Sequence, residues 1–277
     1  MKTKFVMLLA IVLSVAGCAG DRKLTEVVGV NQYASAEKHR GKVLIIAANP
    51  TVSTVTQWPV GAWAAELTHP YYEFEKAGYI VDIASPDGGE VTFDAYSLPS
   101  HESGYSAHDY LSRGFIDTPE LMAKVKNTLK LSDVDADSYE AIFLVGGLSP
   151  MFTFRGNQEL MDFVVTFYES DKPTVLVCHA TSILLDTKLA NGKLLVEGKA
   201  WTGFSDEEER AVEEAVGGIK FQPFWIEQEA GKLEGTNFRV KAPNTPYAIR
   251  DGYLITGQQQ NSGADAAALA IEMLRGE

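Results

Sequence analysis

The apolar positions of this chain alternate between two rhythms. Residues 43–48, Val-Leu-Ile-Ile-Ala-Ala, form an unbroken apolar run of strand length, as expected of a strand covered on both faces in a parallel sheet. A helical stretch follows over residues 62–77, closed by Gly78 where a C-terminal cap belongs. Residues 79–84 read as a second strand that leaves through Ser85-Pro86-Asp87-Gly88-Gly89. After a polar and aromatic insertion at residues 90–117, Thr118-Pro119-Glu120 starts another helix with cap and proline in their favoured places. Strands at 141–145, 174–178 and 252–256, helices at 157–169 and after His179, and an alanine-rich helix at 264–274 complete the series. Strand and helix alternate throughout, which predicts an α/β fold on a doubly wound, mainly parallel sheet. In such sheets ligands bind beyond the carboxyl ends of the strands, so the stretch after Ala48, Gly146-Gly147 and Cys178-His179 are expected to converge.

The first residues stand outside this pattern. Lys2 and Lys4, an apolar run at 5–15 and the small residues before Cys18 read as a secretory signal over residues 1–17, too short for a stable membrane span. Residues 13–18 resemble the bacterial lipobox, so Cys18 is expected to be diacylated, anchoring the protein at the periplasmic face of a cell-envelope membrane. Residues 18–40 are polar and aperiodic and read as a tether, leaving 41–277 as the folded domain. The formal charge of −13 becomes −15 once Lys2 and Lys4 are removed, which argues against nucleic acid and against electrostatic adhesion to anionic lipid. Of the two cysteines, Cys18 goes to lipid, and Cys178 is left without a disulfide partner.

Candidate chemistry concentrates on that thiol. A cysteine at a strand's end, followed at once by a histidine, is a nucleophile candidate, because a sharp turn into a helix favours thiolate through the unpaired backbone N–H groups. A buried cysteine serving as a small hydrophobe reads equally well from Val-Leu-Val-Cys-His alone. Glu66 is an acid in an apolar helical stretch, where a carboxyl pKa rises, although an arbitrary glutamate is more often a surface residue. Gly146-Gly147 and the turn after Cys178 can offer backbone N–H groups to an oxyanion. Residues 201–210 read as a short strand and a helix with Ser205 or Asp206 as N-cap; capping explains most of its acids, but one carboxylate could orient His179. His101, Glu102, His108 and Asp109 are metal-capable but lack compact ligand spacing, so no metal site is expected. With no phosphate-binding glycine motif after the first strand, no nucleotide cofactor is expected either.

Taken together, these blocks resemble the DJ-1/PfpI superfamily, and most closely its Hsp31-like branch. The resemblance rests on residues 66–70 and 75–79, Ala84-Ser85-Pro86-Asp87-Gly88-Gly89, Val145-Gly146-Gly147, Val177-Cys178-His179, residues 202–206 and residues 251–258. It implies a flavodoxin-like, class I glutamine amidotransferase-like sandwich. Carried over, the nucleophile falls on Cys178, its histidine on His179, the helix glutamate on Glu66 and the acidic partner of the histidine on Glu209. Gly147, Leu148 and Ala180 occupy the oxyanion and pocket positions. The branch comprises glutathione-independent glyoxalases that convert methylglyoxal to D-lactate, with members also described as deglycases, chaperones and peptidase-like proteins. A small aldehyde substrate, no cofactor and a homodimer are therefore implied. Gly147-Leu148-Ser149 stands where close relatives have Gly-His-Gly, Ala180-Thr181 replaces glycine and proline, and residues 257–262 lack an Asn-Pro pair. An envelope holdase or redox sensor, and less so a cysteine peptidase or amidase, are the competing readings.

Overall fold

The computed structural model describes residues 39–277. The expected export signal, the Cys18 lipidation site and nearly all of the tether lie outside the described residues. Strand β1 (Lys42–Ile46) is followed by a small hairpin of β2 (Thr51–Val52) and β3 (Pro59–Val60), then by helix α1 (Ala64–Lys76) and β4 (Ile80–Ser85). Helices α2 (Tyr110–Ile116) and α3 (Pro119–Lys126) lead to β5 (Leu129–Lys130) and β6 (Ala141–Leu144). Helices α4 (Pro150–Thr153) and α5 (Gln158–Glu169) precede β7 (Thr174–Val177). The remainder comprises β8 (Ala200–Trp201), α6 (Asp206–Ala215), α7 (Ile226–Ala230), β9 (Asn237–Phe238), β10 (Ala248–Asp251), β11 (Leu254–Gly257) and α8 (Gly263–Arg275).

Seven strands form one sheet in the order β10-β11-β7-β6-β1-β4-β5. Every neighbouring pair is parallel except the β10–β11 edge hairpin, so the fold is the α/β arrangement that the alternation predicts. Val43 to Ile46 and all of β6 and β7 are buried, and each Ile, Leu or Val so covered contributes about 1.5–3 kcal/mol. Ile46 pairs with Leu144, and Leu144 with Leu176, so three chain segments leave the sheet at one edge. That edge carries the candidate chemistry.

Three local features differ from the pattern reading. The segment after the strand is a tight 3₁₀ run over Cys178–Leu185, not an α-helix, and all its residues are buried. Thr181 Oγ1 donates to the Cys178 carbonyl at 2.7 Å, and Thr187 Oγ1 to that of Ile183 at 2.7 Å; such side-chain bonds compete with a regular helical ladder. Strand β10, with its exposed Arg250, is not signalled by periodicity because an edge strand does not need two apolar faces. The 90–117 insertion contains helix α2, whose N-cap Asp109 accepts from Ser112 N–H at 3.0 Å. Among the described residues, no helix is long and apolar enough to cross a membrane.

Candidate active site

Cys178 directly follows Val177, the last residue of strand β7, and adopts the left-handed region at φ 55°. A non-glycine residue there costs on the order of 1–2 kcal/mol, so the surrounding structure must impose it. The strand is hydrogen-bonded on both sides, to β6 and β11, and Thr181 ties the turn back to the Cys178 carbonyl. Gly203 has no side chain because a Cβ would overlap Thr181 Oγ1. The thiol therefore stands at a sharp elbow at the sheet's carboxyl edge, 3% exposed.

Glu66 meets it from the first turn of α1, fully buried. Gly146 N–H donates to Glu66 Oε2 at 2.9 Å, while Oε1 is buried with no hydrogen-bond partner. Gly146 is required by proximity: a Cβ would overlap that carboxylate and stand 2.7 Å from Cys178 Cβ. Burial raises the Glu66 carboxyl to about 7, against the pull of the neighbouring thiol, His179 and the Gly146 amide. It is the raised-pKa acid that the sequence pattern suggested.

The same neighbourhood acts on the thiol in the opposite sense to the one expected. Burial pushes the Cys178 thiol well above its ordinary value, and Glu66 adds to the rise; the amides of Gly147 and His179 pull it down without prevailing. Both causes favour the thiol over the thiolate. Desolvation and a facing carboxylate outweigh the amide field that the elbow argument relied on.

His179 completes the set. Its Nδ1 lies 3.4 Å from Cys178 Sγ, and its Nε2–H donates to Glu209 Oε1 at 3.0 Å, which leaves Nδ1 facing the thiol. Burial opposes the imidazolium, but Glu209, Glu66 and Asp94 raise the His179 pKa. Burial raises the Glu209 carboxyl, against the attraction of His179. Glu209 sits in α6, whose N-cap is Ser205 in a reciprocal capping box with Glu208; Asp206 is the first helical residue. Phe204 packs against the imidazole with centroids 4.2 Å apart and the rings tilted by 37°. Gln222 places its amide nitrogen 3.3 Å from His179 Nε2 while its own Oε1 has no partner. Exchanging the near-indistinguishable amide oxygen and nitrogen turns that approach into a second acceptor for the ring N–H.

The amides of the oxyanion region divide differently from the sequence reading. Gly147 and His179 present theirs to Cys178, whereas the Leu148 N–H donates to Asp94 Oδ2 at 2.7 Å. Ala180 is fully buried in the turn and is not on the cavity wall; the elbow turns so tightly that the His179 amide takes the place assigned to it. Asp94, unnoticed in the sequence, also accepts from Gly61 N–H at 2.8 Å, and burial raises its carboxyl to about 7 against these two amides. The carboxylate thus ties the loop before α1 to the Gly147 loop. A Cβ on Gly147, at φ 99°, would stand 2.6 Å from the Ala62 carbonyl carbon, which leaves glycine alone able to approach so closely. Asp94 precedes a short 3₁₀ turn, Ala95–Ser97, and reads as its cap, but its side chain caps nothing there.

Cys178, His179, Gly147, Leu148 and Glu209 open onto a cavity of about 600 Å³. Tyr96 and Tyr105 from the insertion form part of its wall, and Tyr105 packs edge-on against Trp63 at 5.9 Å. The metal-capable residues of the insertion go elsewhere: Asp109 Oδ1 pairs with His69 Nε2 at 2.9 Å, and His101 Nδ1 is 2.9 Å from Ser103 Oγ. Among the described residues, no three His, Cys, Asp or Glu side chains are placed to share a metal ion.

A doubly wound sheet with a left-handed cysteine at a central strand's end, an adjacent histidine–glutamate pair and a facing buried glutamate defines a thiol-centred α/β protein. The model of the DJ-1/PfpI family matches residues 60–272, and the chain belongs to that family. It is similar to glutathione-independent glyoxalase HSP31 of Saccharomyces cerevisiae, 29% identical over 224 residues, covering 78% of this chain and 90% of the relative. Glyoxalase 3 of Candida albicans is 27% identical over 215 residues, covering 75% and 86%. The crystal structure of Candida albicans glyoxalase III superposes with a TM-score of 0.68 at 25% identity, covering 84% of this chain and 97% of that one. The Rapid Encystment Protein 24 KDa of Francisella tularensis gives a TM-score of 0.75 at 29% identity, covering 84% and 99%.

Proposed function

We propose that this protein is a glutathione-independent glyoxalase of the glyoxalase III type, converting methylglyoxal or a related 2-oxoaldehyde to the 2-hydroxy acid. The observation that carries the reading is Glu66: fully buried beside the Cys178 thiol, near pKa 7, with a free carboxylate oxygen. A base with that pKa can both accept and return a proton at neutral pH. Sγ adds to the aldehyde carbon as Glu66 takes the thiol proton, and Glu66 returns that proton to the aldehyde oxygen to give a hemithioacetal, which leaves the carboxylate free to act again. Glu66 then moves the proton from C1 to C2 through an enediol, leaving a thioester on Cys178. The Gly147 and His179 amides stabilise the oxyanion, and water hydrolyses the thioester to release acid and thiol. His179, held by Glu209, relays the proton of that water. With methylglyoxal the product is D-lactate, which makes the protein a D-lactate dehydratase.

Oxidation sensing fits the thiol less well, since sensor cysteines are exposed and of low pKa, and Cys178 is neither. The proposal extends to an envelope location through acyl chains on Cys18, supported by the lipobox-like residues 13–18, and to a homodimer by family analogy. Purified protein given methylglyoxal without glutathione is expected to form D-lactate. Equal formation by Cys178→Ala would sink the proposal.

A further inference from the structure

The cavity at Cys178 is larger and more apolar than a three-carbon aldehyde needs. At about 600 Å³ it lies within the roughly 300–1,000 Å³ range of pockets that enclose drug-sized ligands. Outside the reacting groups its walls include Val212 of α6, Val216 just after that helix, Phe221 and Trp58, and the last two rings stack 6.3 Å apart. Its charged lining residues are Asp94, Glu208 and Glu209, with His179 as the sole basic group; neither lysine nor arginine lines it. An anionic substrate would therefore face carboxylates, with His179 already paired to Glu209 as the only basic group, and its desolvation would go largely uncompensated. A neutral apolar substituent would instead cover valine and aromatic surface that methylglyoxal leaves wet.

Resting on the glyoxalase reading, we propose that the preferred substrates are uncharged 2-oxoaldehydes whose ketone carries an aromatic or comparably bulky apolar group. The reaction balances as before: R–CO–CHO plus water gives R–CHOH–COOH, with the Sγ–C1 bond formed and then hydrolysed and one proton moved from C1 to C2. The substituent occupies the Val212–Phe221–Trp58 region while C1 lies over Cys178. Its contacts are the same in ground and transition states, so they lower KM more than they raise kcat.

The test compares phenylglyoxal with methylglyoxal on the full-length protein without glutathione, measuring mandelate and lactate. Phenylglyoxal is expected to have a kcat/KM at least about tenfold higher, within what apolar pocket contacts supply. Val212→Trp, which fills the substituent region, and Phe221→Ala, which removes its wall, are each expected to lower the ratio of the two kcat/KM values. Phenylacetamide is expected to compete better than phenylacetate, and equal inhibition would overturn the exclusion of anions. Turnover of methylglyoxal with no preference for phenylglyoxal would overturn this inference and leave the glyoxalase reading standing. Turnover of neither would overturn both.

Discussion

Replacing Glu66 by glutamine is expected to make the protein more stable and less active, and the size of the gain follows from burial. The carboxyl is fully buried and its pKa is raised from 4.5 to about 7. At 1.36 kcal/mol per unit, holding it ionised in the fold costs about 3 kcal/mol. The sign follows from proton binding. Between about pH 4.5 and 7 the folded state keeps a proton that the unfolded chain has lost, so this group's contribution to stability falls as pH rises through that window. Asp94 adds a similar slope of its own, so the informative quantity is the difference between the two proteins and not the wild-type curve. In Glu66→Gln the new amide would keep an oxygen for the Gly146 N–H and turn its NH₂ to Sγ, leaving no new unpaired group. Urea unfolding at pH 5 and pH 8.5 should show a small difference at the lower pH and Glu66→Gln favoured by about 3 kcal/mol at the higher. For a domain of this size that is about 6 °C in Tm. With the base removed, turnover should fall about 10²–10⁴-fold. A stability difference independent of pH would refute the reasoning, because it would mean that Glu66 carries no uncompensated charge.

Other outcomes follow from the same site. Iodoacetamide should alkylate wild-type Cys178 more slowly than a free thiol at pH 8, and Glu66→Gln should speed the reaction by removing a carboxylate that raises the thiol pKa; unchanged rates would show that Glu66 does not set thiol ionisation. Glu209→Gln removes the charge that holds the His179 pKa up, so it should lower kcat and shift the pH profile to lower pH. Asp94→Asn leaves either the Gly61 or the Leu148 N–H facing an NH₂ group, and should cost about 1–3 kcal/mol by urea unfolding. Gly146→Ala forces a Cβ into Glu66 and Cys178, and should abolish turnover more completely than Glu66→Gln, which keeps the packing.

Legibility divided along physical lines. Continuous apolar runs such as residues 43–46 announce a doubly covered strand, and the spacing of strand ends foretold that Gly147 and Cys178 would converge. Glu66 stood out as an acid among apolar neighbours early in the first helix, with a surface glutamate as the competing reading. Asp94 did not, because the polar and aromatic composition of the 90–117 insertion sets no acid apart from another, and only the fold shows its oxygens on Gly61 and Leu148. Its position after the alternating Val91-Thr92-Phe93 was the available signal. Gln222 lay in a stretch without periodicity, and its approach to His179 is purely tertiary. The rise of the thiol pKa was not legible for a related reason: the elbow's amides are local, whereas burial and the Glu66 charge come from residues distant in sequence.

Rapid quenching of the protein with methylglyoxal, followed by mass spectrometry of the Cys178 peptide, tests the central claim most directly. A one-equivalent adduct on Cys178 is expected, transient in the wild type and accumulating in Glu66→Gln, where the thiol, its pKa no longer raised by the Glu66 charge, can give its proton to the facing His179 Nδ1 and add, but the C1 proton has no base. Lactate formation at the wild-type rate with no adduct on Cys178 in either protein would contradict the account.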